Sequence, residues 1–402
     1  MTATSPPSHC FRAYVPAAIV LLVLLALCLT PARAHALDNG LARTPPMGWN
    51  SWYSYRCGVT EKGVMANARA LVQSGLAARG YRYLNIDGCW EADKRARNGA
   101  LRPNPKTFPS GMKAIGRRLH GMGLKFGIYT SAGPTICLHR QPGSYRHYRQ
   151  DFRSFASWKV DYVKVDWCSQ PPKTKQQDAY RAIARAAAKA GRRMIVTVST
   201  TGTRKPRKWA SSYGNTWRID DDADGSWAGV MASADTDAPL WRYAGPGGWN
   251  DPDMLQVGGP GLNDVEGRAH FSLWSMLAAP LLAGYDLTSA SPESIATMGN
   301  PEVIAIDQDR RGRQGRRVRS AGGVETWVRP LTGKSWAVLL LNRSGDAKQL
   351  DVRLDSIPGL PKAARYSVRD VWAHTSREIA ADEPQKVPLG VHEAVMWRVA
   401  GA

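Results

Sequence analysis

The sequence predicts an α/β fold, a (β/α)8 TIM barrel followed by a small C-terminal antiparallel β-sandwich. Two observations carry this reading. Between about residues 45 and 290, short β-like runs alternate with stretches of helical periodicity. After residue 320 the alternation stops, and strand-like runs follow one another across turn-rich links. Strands alternating with helices build parallel βαβ units, and eight such units close a barrel. A succession of short strands packs instead as a sandwich.

Eight runs serve as barrel strands: 47–52, 81–87, 124–131, 161–167, 193–199, 215–220, 247–253 and 279–285. Helical segments fill the gaps. In EKGVMANARALVQSGLAARG, Val64, Met65, Ala68, Leu71, Val72 and Leu76 form one apolar face, and Thr60 is placed to cap its start. The segments SYRHYRQDFRSFASWK and AYRAIARAAAKAG flank the fourth strand, and HFSLWSMLA precedes the eighth. Beyond residue 320, VETWVRPL, SWAVLLLN, QLDVRL, RYSVRDVWA and AVMWRV are the expected sandwich strands. The expected divisions are a leader over 1–36, the barrel over 37–318 and the sandwich over 319–402.

The leader reading rests on Arg12, an unbroken apolar run from Ala17 to Leu29, and the small-residue sites Ala32-Arg33-Ala34 and Ala34-His35-Ala36. The run is short of the ~20 residues of a membrane span, so a cleaved export signal is expected ahead of an uncleaved anchor. The chain is then secreted or periplasmic, with no stable membrane insertion. Cys10 and Cys28 fall in the leader, leaving Cys57, Cys89, Cys137 and Cys168. In an exported chain an even number suggests disulfides, in any of three connectivities. Zinc-ligand spacing is absent from the sequence.

The chain has 54 Lys and Arg against 33 Asp and Glu, a net charge of +21. Loss of Arg12 and Arg33 with the leader lowers this by two, to +19. Nucleic acid, an anionic envelope and an acidic polysaccharide are the partner classes such a charge suits. The densest patch, DRRGRQGRRVRS over 309–320, has no aromatic residue to stack on bases. It reads as an exposed linker, and no nucleic-acid partner is expected.

Chemistry concentrates at the strand ends. In VDYVKVDWC, alternation puts Tyr162, Lys164, Asp166 and Cys168 on one face of an apolar strand. Burying charge is costly unless the charge is paired or used. Trp52, Asp87, Tyr129, Arg218, Asp222, Asp251 and Asp253 fall at the corresponding ends of other strands, where a barrel carries its catalytic groups. Two carboxylates across a cleft suit glycoside hydrolysis, one attacking the anomeric carbon and one protonating the leaving oxygen. Lys164 is expected to keep Asp166 ionised. WRIDDDADG crowds Asp220, Asp221, Asp222 and Asp224, which is expected to raise one of their pKa values; spacing alone does not choose among them.

TPPMGWNSW (44–52), YLNIDGCW (83–90), FGIYTSAG (126–133), YVKVDWC (162–168), AGPGGWNDPDML (244–255) and APLLAGYDL (279–287) follow in order, led by LDNGLARTPPMGW and trailed by NPEVIAIDQD. Together they resemble the melibiase-type α-galactosidases and α-N-acetylgalactosaminidases of glycoside hydrolase family 27, strongly over 37 to about 318. The resemblance implies a retaining double displacement that uses no metal or cofactor. Asp166 matches the family nucleophile. Asp222, between Arg218 and Trp227, matches the acid/base. Lys164 and Arg218 match sugar-hydroxyl ligands; Trp52, Asp87, Tyr129 and Met254 match other pocket positions. The family's bridges correspond to Cys57–Cys89 and Cys137–Cys168.

Three departures touch the sugar-reading positions. Gly88 stands where the family usually has a second Asp, the acceptor for the axial 4-hydroxyl. Thr200 replaces a Glu that helps bind the 2-hydroxyl. Ile219-Asp220-Asp221 replaces Thr-Thr-Gly before the acid/base. The expected activity is release of terminal α-linked galactose from an oligosaccharide or polysaccharide. The alternatives are α-N-acetylgalactosaminide, β-L-arabinopyranoside or α-glucan as substrate, and a silent carbohydrate-binding or envelope-binding protein. Asp220 or Asp221 is the candidate replacement for the carboxylate lost at Gly88. The sequence leaves the oligomeric state open.

Overall fold

The computed structural model describes residues 1–2, 37, 39–137 and 139–401. The leader expectation falls on residues 3–36, outside the described residues. Everything below lies in the unit Ala36–Ala402.

Eight parallel strands form one sheet: β1 (Met47–Asn50), β2 (Tyr83–Ile86), β3 (Lys125–Ser131), β4 (Tyr162–Asp166), β5 (Ile195–Ser199), β6 (Thr216–Arg218), β7 (Trp249–Asp251) and β8 (Leu281–Ala283). Each falls within its expected run. The sheet order is β7-β6-β5-β4-β3-β2-β1-β8. The two edges meet just beyond β7, where Leu255 bridges Ala283 in parallel. Leu255 donates from its N–H to Leu282 O at 2.8 Å, and its own carbonyl accepts from Gly284 N at 3.0 Å. One residue thus closes the barrel. The strands are buried on both faces, as the apolar runs require.

Helices lie between the strands. Glu61–Gln73 starts as expected at Thr60, whose hydroxyl accepts from Gly63 N. Tyr148–Ser157 and Gln176–Ala188 flank β4, and Asp264–Leu277 begins with a full capping box between Asn263 and Glu266. That last helix is buried nearly along its length, because the barrel lies on one side and the C-terminal sheet on the other. No helix among the described residues is long and apolar enough to cross a membrane.

The C-terminal part is antiparallel, as expected. Its strands are β9 (Arg316–Ala321), β10 (Val324–Pro330), β11 (Ser335–Asn342), β12 (Lys348–Val352), β13 (Arg365–Asp370), β14 (Thr375–Ala380), β15 (Gln385–Leu389) and β16 (Ala394–Gly401). A six-stranded sheet, β14-β13-β16-β11-β10-β9, faces the ribbon β12-β15. Val338, Leu340, Tyr366, Val387 and Val399 pack in the core between them.

The Arg-rich stretch is not an exposed linker. The 318/319 division falls inside β9, an edge strand paired to β10. Arg317 binds Asp235 and Glu325, Arg319 donates to Ser356 O, Arg311 donates to Leu331 O, and the Arg316 guanidinium sits 4.7 Å from the Trp241 ring centroid. The strand was hidden because edge strands carry charge rather than a clear apolar alternation. β14, mostly exposed and at the sheet edge, escaped for the same reason.

Several polar groups buried at the barrel–sandwich junction are paired, though Arg329 Nε, Ser275 Oγ and Asp307 Oδ1 are not. Arg329 is fully buried and donates to the carbonyls of Ser275 and Asp307. Trp372 donates to Ser272 Oγ at 2.9 Å, and Asn300 to Val371 O at 2.9 Å.

Candidate active site

A pocket of about 210 Å³ opens at the C-terminal ends of the barrel strands. It is lined by Trp52, Asp87, Gly88, Cys89, Tyr129, Ile136, Cys137, Lys164, Asp166, Trp167, Cys168, Ser199, Thr201 and Asp222. Six expected site residues therefore converge: Trp52, Asp87, Tyr129, Lys164, Asp166 and Asp222.

The register explains the convergence. Tyr129 sits beside Lys164 and Ser131 beside Asp166 across β3 and β4; Asp166 in turn sits beside Ser199 of β5. Side chains in register share a face, so these rows project together.

Lys164 Nζ donates to Asp87 Oδ2 at 3.0 Å and lies 3.8 Å from Asp166 Oδ1. It also lies 5.5 Å from the Tyr129 ring centroid. Asp87 is held rigidly: Asn50 Nδ2 donates to Oδ2 at 2.9 Å, Gly88 N donates to Oδ1 at 2.9 Å, and Ser51 Oγ accepts from Asp87 N. Asp166 is 15% exposed, with Oδ1 free of any hydrogen-bond partner. Burial pushes its pKa up, and Lys164 opposes that rise without cancelling it, while Asp87 and Asp222 add to it. The ammonium is held charged: burial works against it, but Asp166 and Asp87 outweigh burial.

Asp222 stands at the mouth, its side chain 56% exposed. Arg218 NH1 donates to Asp222 Oδ1 at 3.1 Å and lies 3.2 Å from Asp253 Oδ1. Arg218 NH2 donates to Asp221 O at 2.6 Å. Asp253 is buried at positive φ, and its Oδ2 accepts from Tyr53 Oη at 2.6 Å and from Ala223 N at 2.8 Å. The rise expected for one of the four clustered acids does not fall on Asp222 or on Asp224, both of whose pKa values are lowered. Burial pushes the Asp222 pKa up, but Arg218, Lys164 and the Arg218 hydrogen bond together hold it below the usual carboxylate value. Crowding fails because the neighbouring acids face elsewhere. Asp220 Oδ2 accepts from Thr236 Oγ1 at 2.8 Å, Asp221 is exposed, and Asp224 accepts from Ser226. Neither Asp220 nor Asp221 lines the pocket, so neither supplies the carboxylate that Gly88 lacks.

Three other expected residues stand behind the wall. Arg218 is buried and reaches the site through Asp222. Met254 is buried beside the barrel closure. Thr200 is buried with an unpartnered hydroxyl, while Ser199 and Thr201 line the pocket. Ser199 ends β5 on the Asp166 row, and Thr200 lies just past the strand in a turn where its carbonyl accepts from Thr203 N. Trp167, Ile136, Ser199 and Thr201 were missed. Of these, Trp167 carried a signal, a large aromatic residue directly after the strand-end Asp.

Cys57–Cys89 and Cys137–Cys168 are bonded, with Cα separations of 5.1 and 5.2 Å. The second bridge ties the loop after β3 to the residue two beyond Asp166. Asp87, Asp166 and Asp222 thus share one pocket with the Lys164 ammonium and the rings of Trp52, Tyr129 and Trp167.

The family profile described as "Alpha galactosidase A" matches residues 44–309, and that of the "Alpha galactosidase C-terminal beta sandwich domain" matches 321–399. An α-galactosidase of Oryza sativa subsp. japonica is 41% identical over 366 residues, covering 91% of this chain and 87% of its own. Alpha-galactosidase A of Cellvibrio japonicus is 44% identical over 345 residues, covering 83% and 84%. The crystal structure of α-galactosidase I from Mortierella vinacea superposes with a TM-score of 0.87 at 30% identity, covering 91% and 99%. With this coverage and this pocket, the chain belongs to the α-galactosidase family of glycoside hydrolases, family 27.

Proposed function

We propose that the chain releases terminal α-linked galactose with retention of configuration, Asp166 acting as nucleophile and Asp222 as acid/base. The observation that carries this is the single pocket in which Lys164 bridges Asp87 and Asp166 while Asp222 stands at the open mouth. Asp166 attacks the anomeric carbon as the glycosidic bond breaks, and Asp222 gives its proton to the leaving oxygen. Asp222 then takes a proton from water, which attacks the same carbon and frees Asp166. Lys164 and Asp87 hold sugar hydroxyls, and Trp52, Tyr129 and Trp167 face the ring. Arg218 positions Asp222. A sugar covering the mouth strips water from Asp222, which raises its pKa toward that of a working acid.

The barrel carries the chemistry and the C-terminal sheet buttresses it. The two disulfides and the N-terminal apolar run support an extracytoplasmic location. The test is hydrolysis of aryl α-galactoside, α-N-acetylgalactosaminide, α-glucoside and β-L-arabinopyranoside, with Asp166→Asn as control. Dominant α-galactoside turnover, absent in the control, is expected. Dominance of another sugar overturns the substrate assignment.

A further inference from the structure

Apart from the pocket, a shallow surface groove of about 580 Å³ runs along the helix Tyr148–Ser157. Arg146, His147, Arg149 and Arg153 line it, with Asn98 and Gln150 among the uncharged residues. No Asp or Glu lines it. The nearest acid on that helix, Asp151, is buried and already bound on both oxygens by Arg95, at 2.8 and 2.7 Å. Arg146, Arg149 and Arg153 are exposed, and among the described residues none of them makes an ion pair or a hydrogen bond, although the Arg146 guanidinium lies 5.4 Å from the Tyr145 ring centroid. Arg149 and Arg153, four apart on a helix, stand side by side. Three guanidiniums kept together without a counter-charge repel one another, a cost that an anionic ligand relieves. In the Arg-rich stretch at 309–320, Arg311, Arg317 and Arg319 bond within the chain, whereas Arg310 and Arg313 are exposed.

One loop joins groove and pocket. After β3, Ile136 and Cys137 line the pocket, and Arg146 and His147 of the same loop line the groove. The return limb is fastened to the outgoing one: Ser144 N donates to Ser131 O at 2.8 Å, Tyr145 N to Gly133 O at 3.1 Å, and Tyr148 Oη to Ala132 O at 2.6 Å.

We infer that this groove binds the backbone of an anionic polysaccharide, carboxylated or sulfated, whose neutral terminal sugar is the one offered to the pocket. The substrate half of this inference rests on the proposed hydrolase function; the binding half does not. Guanidiniums pair bidentately with carboxylate and sulfate, and the uncharged Asn98 and Gln150 suit intervening hydroxyls.

The test is binding of the full chain to sodium polygalacturonate and to dextran sulfate at low ionic strength, with neutral dextran and duplex DNA as comparisons. The variants are Arg146→Glu/Arg149→Glu/Arg153→Glu and the milder Arg146→Gln/Arg149→Gln/Arg153→Gln. Binding to one anionic polysaccharide, lost with added salt and weakened roughly 10-fold or more in both variants, is expected. The preferred polymer then tells carboxylate from sulfate. Aryl α-galactoside hydrolysis should stay unchanged in both variants, which also reports their folding. Unchanged binding in the variants, equal binding to neutral dextran, or tighter binding to DNA overturns the inference. Loss of aryl hydrolysis in the wild-type chain with binding intact would count against the hydrolase reading alone.

Discussion

Lys164 Nζ donates to Asp87 Oδ2 at 3.0 Å, so the ammonium two residues before Asp166 is anchored just past the end of β2. Its distance to Asp166 is longer, 3.8 Å. The ammonium therefore opposes the burial of Asp166 only in part, and the pKa of Asp166 stays raised. Asp222 contributes to that rise. The acidic limb of kcat/KM follows ionisation of Asp166, so removing a positive neighbour moves it to higher pH and removing a negative one moves it lower. On an activated aryl substrate, Lys164→Met should shift the limb upward and Asp222→Asn downward. pH profiles of the two variants, read beside the wild type, check this; shifts of the same sign would contradict it.

Gly88 leaves the sugar-reading wall one carboxylate short, and neither Asp220 nor Asp221 lines the pocket to replace it. A Cβ at this position would lie 3.3 Å from Tyr129 Cε1, a contact that a small ring shift relieves. A charge-assisted hydrogen bond contributes about 1.5–3 kcal/mol. Gly88→Asp should raise kcat/KM for an aryl α-galactoside roughly 10- to 100-fold. An unchanged or lower value would show that the wall reads the sugar without it.

The bridge Cys137–Cys168 spans 31 residues and holds Ile136 and Cys137 against the pocket. Replacing both cysteines by Ala should cost about 2–4 kcal/mol of stability and raise KM more than it lowers kcat. Thermal unfolding and steady-state kinetics on the double variant measure both.

Asp237 is fully buried, with Oδ1 accepting from Asn250 Nδ2 at 2.9 Å and Oδ2 unpartnered. Burial pushes its pKa up to about 7. The folded chain then keeps a proton that the unfolded chain releases near pH ~4. Its contribution to stability is complete below that pH and is lost as the pH rises through about 7. Asp237→Asn stays neutral throughout, so its stability should fall less between these pH values than that of the wild type. Denaturant melts at both ends of the window test this.

Much of the architecture was legible because βαβ units alternate plainly and the charged strand ends, Lys164 and Asp166 above all, stand out against apolar runs. The bridge from Leu255 to Ala283 that closes the barrel involves a single residue and leaves no periodic trace. Thr200 stands just past the end of β5 and is buried, while Ser199 and Thr201 on either side line the pocket, a difference of one position that spacing does not resolve. The rise expected for one of the four clustered acids is absent at Asp222 and Asp224. Sequence shows the acids close together but not that Asp220, Asp221 and Asp224 turn to Thr236, to solvent and to Ser226. The unpaired arginines of 146–153 look like any charged helix face until the structure shows which other arginines are engaged.

The central claim is that Asp166 forms a bond to the sugar. Asp222→Ala, which retains the nucleophile but lacks the acid/base, should be mixed with an aryl α-galactoside bearing a good leaving group, quenched and digested. The account predicts one hexosyl residue on the peptide containing Asp166, at the Asp166 side chain. A hexosyl label on another residue, or a label-free chain releasing a product of inverted configuration, would contradict it.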